Sequence, residues 1–184
     1  MKRRWSFTIH HSLQTGFTFV ELVIGIAIIG IVSSFSIYSF SGYSKTQSLV
    51  EATKGVASTL QVAKSRASTQ VKPTSCGTQP LQGYRVVFCG LGTPCLNTGN
   101  LSYELQVACG SSYYLINLQN DSNMKFPGDV RFNTTYTTSS TIFYKILTGG
   151  VERGGNITVT NGSRNSQIQV DRFGNMRMLE NFTP

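Results

Sequence analysis

Hydrophobic and polar positions follow three different periods along the chain, and the first long stretch is apolar almost without interruption. The 23 positions from Leu22 to Ser44 carry no charge. A helix of that length spans about 30 Å of hydrocarbon. We therefore predict a transmembrane helix over residues 17–44, preceded by a segment, residues 1–16, that contains no acidic side chain.

Beyond residue 44 the apolar positions recur at intervals of three or four residues, with charged residues between them. This spacing marks one face of an amphipathic helix, which we place over residues 45–72 with its apolar face on a sheet. Pro73 ends the helix, because proline disfavours helical geometry in the residue before it. The apolar positions are Leu49, Ala52, Val56, Leu60, Ala63 and Ala67.

The remainder of the chain, residues 73–184, consists of short runs with strand periodicity separated by turn residues. No helical pattern falls between these runs, so the strands should pair antiparallel. The predicted fold class is α+β, with a long N-terminal helix, its first half transmembrane, packed on a C-terminal antiparallel β-sheet domain. The predicted strands are 84–89, 103–109, 113–118, 130–132, 141–147, 156–160, 167–170 and 175–179.

The charge distribution predicts which side of the membrane each end occupies. The formal net charge is +8, and Lys2, Arg3 and Arg4 contribute three of the positive charges. A positive flank before an apolar helix stays in the cytoplasm, so the C-terminal domain should be exported. The basic charge that remains on the domain is compatible with anionic partners, including nucleic acid.

The two histidines argue against catalysis. His10 and His11 are the only histidines, and both precede residue 17. If residues 1–16 are removed, the domain has no histidine for a catalytic triad, a zinc site or a general base. We predict that the protein is not an enzyme and has neither a cofactor nor a metal.

All four cysteines fall in the domain that should be exported, where disulfides form. If strands 84–89 and 103–109 run antiparallel, Cys89 lies at their loop end beside Cys95, and Cys109 lies at the other end near Cys76. The predicted pairs are therefore Cys89–Cys95 and Cys76–Cys109. A zinc site formed by all four is the competing interpretation, but the C-x2–4-C spacing of such sites is missing.

Glu21 is the only acidic residue in the predicted transmembrane helix, residues 17–44. A carboxylate in that position costs on the order of 2.5–3.5 kcal/mol on insertion scales. Two simpler interpretations do not fit this segment. An ordinary secretory signal has a shorter apolar core, and a plain membrane anchor has no need for an acidic residue at this position. If the bond after Gly16 is cut, Phe17 carries a free α-amine, and Glu21 of one subunit can pair with the amine of its neighbour.

The run Gly16–Leu22, GFTFVEL, resembles the class III prepilin signal, whose common form is GFTLIEL. The resemblance implies cleavage after Gly16 by a prepilin peptidase, N-methylation of Phe17 and assembly with other pilin subunits through Glu21. It also implies a single-pass protein of the bacterial cytoplasmic membrane, with a cytoplasmic N-terminus, that then joins a type IV pilus or a type II secretion pseudopilus.

A second resemblance concerns the rest of the chain. Leu60–Ala67, LQVAKSRA, resembles the GspH/FimT-like branch, which often reads LQxARSxA, and residues 157–177 resemble its terminal hairpin. This implies a minor pilin or a minor pseudopilin. Some FimT-like minor pilins bind DNA through an arginine-containing C-terminal loop. The loose match here is Arg164, with Arg172 and Arg177 downstream, and a solvated basic edge that protects strands from pairing is the alternative.

Three hypotheses follow. The chain is a structural minor subunit of a pilus or pseudopilus, a pilin that captures DNA or a surface ligand, or an anchored domain that never polymerises. Glu21 separates the first two from the third, because a simple anchor has no use for a carboxylate at that position. Substitution of the arginines separates the first from the second.

Overall fold

A computed structural model describes residues 16, 18–96, 102–117 and 124–179, with the backbone alone for residues 35–41. The chain divides into two compact units, Met1–Ser41 and Gly42–Pro184. The first and longest element is helix α1 (Phe19–Ser68), which contributes to both units. The boundary lies three residues before the predicted end of the transmembrane segment at residue 44.

The part of α1 in the second unit buries one face. All six apolar positions that recur at helical spacing are buried, from Leu49 to Ala67. Thr53 and Thr59 are buried on the same helix, and their hydroxyls donate to the carbonyl oxygens of Leu49 and Gly55. These bonds satisfy both hydroxyl donors within the helix. Thr59 also shares a side-chain hydrogen bond with Tyr103.

The helix ends at Ser68, four residues before the predicted boundary at residue 72. Gln70 adopts a left-handed conformation with φ of 53°. Its N–H donates to the carbonyl oxygen of Ala67 at 3.3 Å, and the Val71 N–H donates to that of Arg66 at 3.2 Å. These two bonds form a Schellman motif, which reverses the chain before Pro73 exerts its effect.

In the described residues after α1, eight strands form two four-stranded antiparallel sheets rather than one. The first sheet has the order β3-β2-β1-β5 and the second β4-β6-β7-β8. Every predicted strand is present: the strand 103–109 has the predicted bounds, and the other seven begin or end at different residues. The strands are β1 (Leu81–Phe88), β2 (Tyr103–Cys109), β3 (Ser112–Leu115), β4 (Arg131–Phe132), β5 (Thr141–Lys145), β6 (Gly155–Thr160), β7 (Asn165–Val170) and β8 (Met176–Leu179).

Both sheets contribute to the core that α1 covers. Alternate residues of β1, β2 and β5 meet the helix face, and β6 and β7 supply two buried aliphatic residues each. The core residues of the described ranges lie between Leu49 and Val170, so the second unit holds its own hydrophobic core. We therefore expect residues 42–184 to fold without residues 1–41.

Strand β2 is buried on both faces. One face is apolar and meets the core, and the other carries the polar side chains of Glu104 and Gln106. Glu104 accepts the Leu96 N–H at 2.7 Å, and it also accepts a hydrogen bond from the amide of Gln106. Arg85 on β1 donates to Gln106 at 2.5 Å, and its guanidinium lies 3.3 Å from the centroid of the Tyr113 ring. Burial lowers the pKa of Arg85. The second face of the sheet therefore carries a polar network beneath the loop after β1.

The cysteines form two pairs, with Cα–Cα distances of 5.4 Å for Cys76 and Cys109 and 5.6 Å for Cys89 and Cys95. They are the two pairs expected from the antiparallel order of β1 and β2. The first ties the segment after α1 to the end of β2, and the second closes the loop that covers Glu104.

Candidate assembly segment and basic poles

The N-terminal turn of α1 is capped by Thr18. Its hydroxyl accepts the Glu21 N–H at 3.3 Å, and its carbonyl accepts the Leu22 N–H at 3.2 Å. Glu21 therefore lies in the first turn, where a negative charge is favourable to the helix dipole. This cap has a sequence signal that our predictions did not use, a threonine followed three residues later by glutamate, which is typical of a capped helix start.

The segment Phe19–Val32, which we call the apolar segment, has exposed hydrophobic side chains on every side of the helix. Phe19 is 80% exposed, and the other large hydrophobic side chains of the segment are exposed as well. A helix that is apolar all round requires an apolar surrounding, which is either a protein interior or a lipid phase. The other exposed members are Val20, Leu22, Val23, Ile24, Ile26, Ile28, Ile29, Ile31 and Val32.

The two serines that directly follow this segment suit such a surrounding. The Ser33 hydroxyl donates to the carbonyl oxygen of Ile29 at 2.7 Å, and that of Ser34 donates to Gly30 at 2.8 Å. Each hydroxyl donor is thus satisfied within the helix and needs no water.

The predicted processing residues lie at the edge of what the structure describes. Gly16 is exposed, and a Cβ built there meets no described atom within 4 Å. Steric crowding therefore does not require glycine at this position. Residues 1–15 of the predicted leader and Phe17, the predicted methylation site, lie outside the described residues. Among the residues that the structure describes, no helix is both long enough and apolar enough to cross a membrane.

The three arginines of the predicted DNA contact do not lie together. Asn161, in the β6–β7 turn with Arg164, donates from its side chain to the carbonyl oxygen of Lys45 at 3.0 Å. At the other end, Lys64 Nζ lies 3.0 Å from Asn175 Oδ1, beside the β7–β8 turn that holds Arg172. These contacts are separated by about 19 helical residues, or roughly 30 Å along α1.

We call the end of the second unit that holds Lys45 and the β6–β7 turn the entry pole. We call the end that holds Lys64 and the β7–β8 turn the far pole. Arg164 belongs to the entry pole together with Lys45, and Arg131 lies opposite Thr160 in the neighbouring strand. Arg172 belongs to the far pole, and Arg177 pairs with Gln169 on β8 near that end. One short ligand therefore cannot contact Arg164 and Arg172 at the same time.

The match found among known families concerns the N-terminus. A family model described as the prokaryotic N-terminal methylation motif matches residues 11–37. No curated protein and no solved structure gives a significant match to the chain. The matched motif spans Gly16, Phe17 and Glu21 as well as the whole apolar segment. It supports a type IV pilin-like protein that is processed by a prepilin peptidase and assembled with other pilin subunits.

Proposed function

We propose that the chain is a minor subunit of a type IV pilus or a type II secretion pseudopilus. It is cleaved after Gly16, methylated on Phe17 and assembled through its N-terminal helix. The methylation motif over residues 11–37 is the observation that carries this proposal. The same motif favours a structural subunit over an enzyme.

Before assembly the apolar segment resides in the cytoplasmic membrane as a single pass, with the second unit exported. Its all-round exposure of aliphatic side chains and the internal bonds of Ser33 and Ser34 support a lipid surrounding. Glu21 then needs a positive partner, and the new α-amine of Phe17 on a neighbouring subunit supplies one.

Processing is tested by intact-mass measurement of the full chain expressed with an active prepilin peptidase. We expect the protein to lose residues 1–16 and to gain one methyl group. Because a Cβ at position 16 meets no described atom within 4 Å, a Gly16→Val variant should fold normally, and the bulkier residue should prevent cleavage of the leader. Recovery of the parent chain with its leader still attached would refute the proposal.

Assembly is tested by a matched pair of substitutions on the same helix. Glu21→Gln removes the acid from the apolar segment, whereas Glu51→Gln removes an exposed acid from the second unit. We expect the first variant to be processed but absent from sheared filaments, and the second to be incorporated like the parent. Equal incorporation of both variants would show that assembly does not depend on Glu21, and absence of the parent chain from the filaments would favour an anchored domain that does not polymerise.

A pilin that captures DNA is the second candidate, because each pole exposes arginines. Phosphate contacts weaken steeply with salt, so binding by the second unit should have that dependence. Arg164→Ala and the pair Arg172→Ala plus Arg177→Ala probe the two poles separately. If only one of these variants loses DNA binding, the contact lies at that pole. If both variants bind DNA like the parent, the arginines form a solvated basic edge and do not contact DNA.

A further inference from the structure

At the far pole, the turn after β5 presents an exposed leucine in a strained conformation. Leu147 has φ of 70°, and the Thr148 N–H donates to the carbonyl oxygen of Ile146 at 2.9 Å across it. A γ-turn with this sign of φ is rare, especially with a bulky residue at its centre. The Leu147 side chain is nevertheless 67% exposed, so core packing does not explain its presence there.

The turn between β7 and β8 presents a second apolar side chain. Phe173 is 77% exposed, and its N–H donates to Asp171 Oδ1 at 2.9 Å. The same oxygen accepts the Asn175 N–H at 2.8 Å, so one carboxylate fixes the whole turn. The phenylalanine is therefore held outward on a rigid support.

The two turns are packed against each other. Gly174 has φ of 72°, and a Cβ there would collide with the carbonyl oxygen of Gly149. The Val151 N–H also donates to the carbonyl oxygen of Arg172 at 3.1 Å. Leu147 and Phe173 therefore project from two turns whose backbones are in direct contact.

Positive charge surrounds this pair. Four exposed cations lie on the turns and strand ends of the far pole, against the exposed acids Glu152 and Asp171. The Asp171 carboxylate is already engaged with its own turn, and these hydrogen bonds lower its pKa. The surface thus combines two protruding apolar tips with excess positive charge. The cations are Lys145, Arg153, Arg172 and Arg177.

We propose that the far pole binds the anionic headgroup surface of a lipid bilayer. The cations contact phosphate groups, and the side chains of Leu147 and Phe173 enter the boundary between headgroups and acyl chains. Convex apolar tips enter a fluid layer without a complementary recess. Leucine has no ring on which a base can stack, and this distinguishes the surface from one built for single-stranded nucleic acid.

The test uses residues 42–184, which hold the hydrophobic core of the described chain, so that the apolar segment cannot insert by itself. The protein is sedimented with vesicles of phosphatidylcholine alone or mixed equally with phosphatidylglycerol. We expect binding to the mixed vesicles only, weakening as salt is added. Leu147→Gly and Phe173→Ser should each weaken it by roughly tenfold or more, because each removes one inserted side chain.

Matched controls lie away from the far pole. Leu96→Ser removes a leucine that is 52% exposed on the loop after β1, and Arg164→Ala removes a cation from the entry pole. Both should bind like the parent, whereas Arg172→Ala should bind more weakly. Circular dichroism and thermal melting of every variant verify the fold, and Leu147→Gly should melt no lower than the parent because it relieves the left-handed strain.

Three results would overturn the proposal. The first is equal binding to neutral vesicles, or equal losses in the control variants. The second is binding of a short single-stranded DNA that Phe173→Ser abolishes and Leu147→Gly spares, which would identify a stacking surface. The third is self-association in size-exclusion chromatography that both tip variants abolish, since the tips would then contact a second copy.

Discussion

At the scale of single residues, two buried tyrosines that are partners in neighbouring strands differ in one hydrogen bond. Tyr84 on β1 lies opposite Tyr144 on β5, and both side chains are fully buried. The Tyr84 hydroxyl donates to the carbonyl oxygen of Val71 at 2.5 Å. Among the described residues, none lies within hydrogen-bonding distance of the Tyr144 hydroxyl. Burial raises the pKa of both phenols, so neither ionises near neutral pH.

Replacing each tyrosine by phenylalanine should therefore have different effects on stability. Tyr84→Phe leaves the Val71 carbonyl without its donor and should lower the free energy of unfolding by about 1–2 kcal/mol. Tyr144→Phe removes a hydroxyl that contributes no bond, so its effect should be near zero or slightly stabilising. Urea denaturation of residues 42–184 measures both. An equal loss in the two variants would indicate a water molecule bonded to Tyr144.

Asp171 links stability to pH at the far pole. Hydrogen bonds from the backbone of Asn175, then from its side chain and from the backbone of Phe173, lower the Asp171 pKa below its usual 3.8. A depressed native pKa means that the charged form stabilises the fold at any pH above the usual value. That contribution disappears as the pH falls through the native pKa.

The Asp171→Asn variant isolates this effect, since it keeps an acceptor oxygen but carries no charge. Its melting temperature should lie below that of the parent at neutral pH, and the gap should close below pH 3.8. A gap that stays constant into strong acid would attribute the difference to hydrogen-bond geometry rather than to ionisation.

At the scale of elements, the end of α1 depends on a residue that is poorly suited to its backbone. Gln70 is left-handed within the Schellman motif, a position that glycine occupies at much lower cost. Gln70→Gly should therefore raise the free energy of unfolding by up to about 1 kcal/mol. Gln61→Gly is the matched control, because Gln61 is exposed within the helix, and it should lower stability by about 1 kcal/mol. Chemical denaturation distinguishes the opposite signs, and a loss in both variants would contradict the capping geometry.

The same helix end shows which elements were accessible from sequence. The repeat from Leu49 to Ala67 identified the buried face, because helical spacing is local. Pro73 gave only an outer limit for the helix, since a glutamine in the left-handed region leaves no sequence signal. The strands were recognisable from their alternation and turns. Their division into two sheets was not, because the β1–β5 and β4–β6 pairings join distant segments.

The candidate functional residues likewise divide into those that the local sequence reveals and those that only the folded chain brings together. Gly16, Phe17 and Glu21 form a contiguous motif and are readable directly from the sequence. Arg164 and Arg172 are near in sequence but lie at opposite ends of β7, so sequence proximity was misleading. The pairing of Leu147 with Phe173 depends on two turns that meet only in the folded chain, and no local pattern reveals it.

At the scale of the whole molecule, the two disulfides should differ in their contribution to stability. The Cys76–Cys109 bond closes a sequence separation of 33 residues, and Cys89–Cys95 closes one of 6. The chain-entropy model gives roughly 3.7 kcal/mol for the longer loop and roughly 2.2 kcal/mol for the shorter one. Denaturation of the two paired Cys→Ser variants tests this order, and a larger loss on removing Cys89–Cys95 would contradict it.

The two poles of the second unit have a consequence for how copies of the chain meet. Lys45, Arg131 and Arg164 make the entry pole basic, and the far pole is basic as well. Identical copies approaching end to end would present like charges to each other, and this repulsion acts over the Debye length of about 8 Å at physiological ionic strength. Like charges at the two poles therefore disfavour end-to-end stacking of identical copies, and this repulsion should weaken as salt is added.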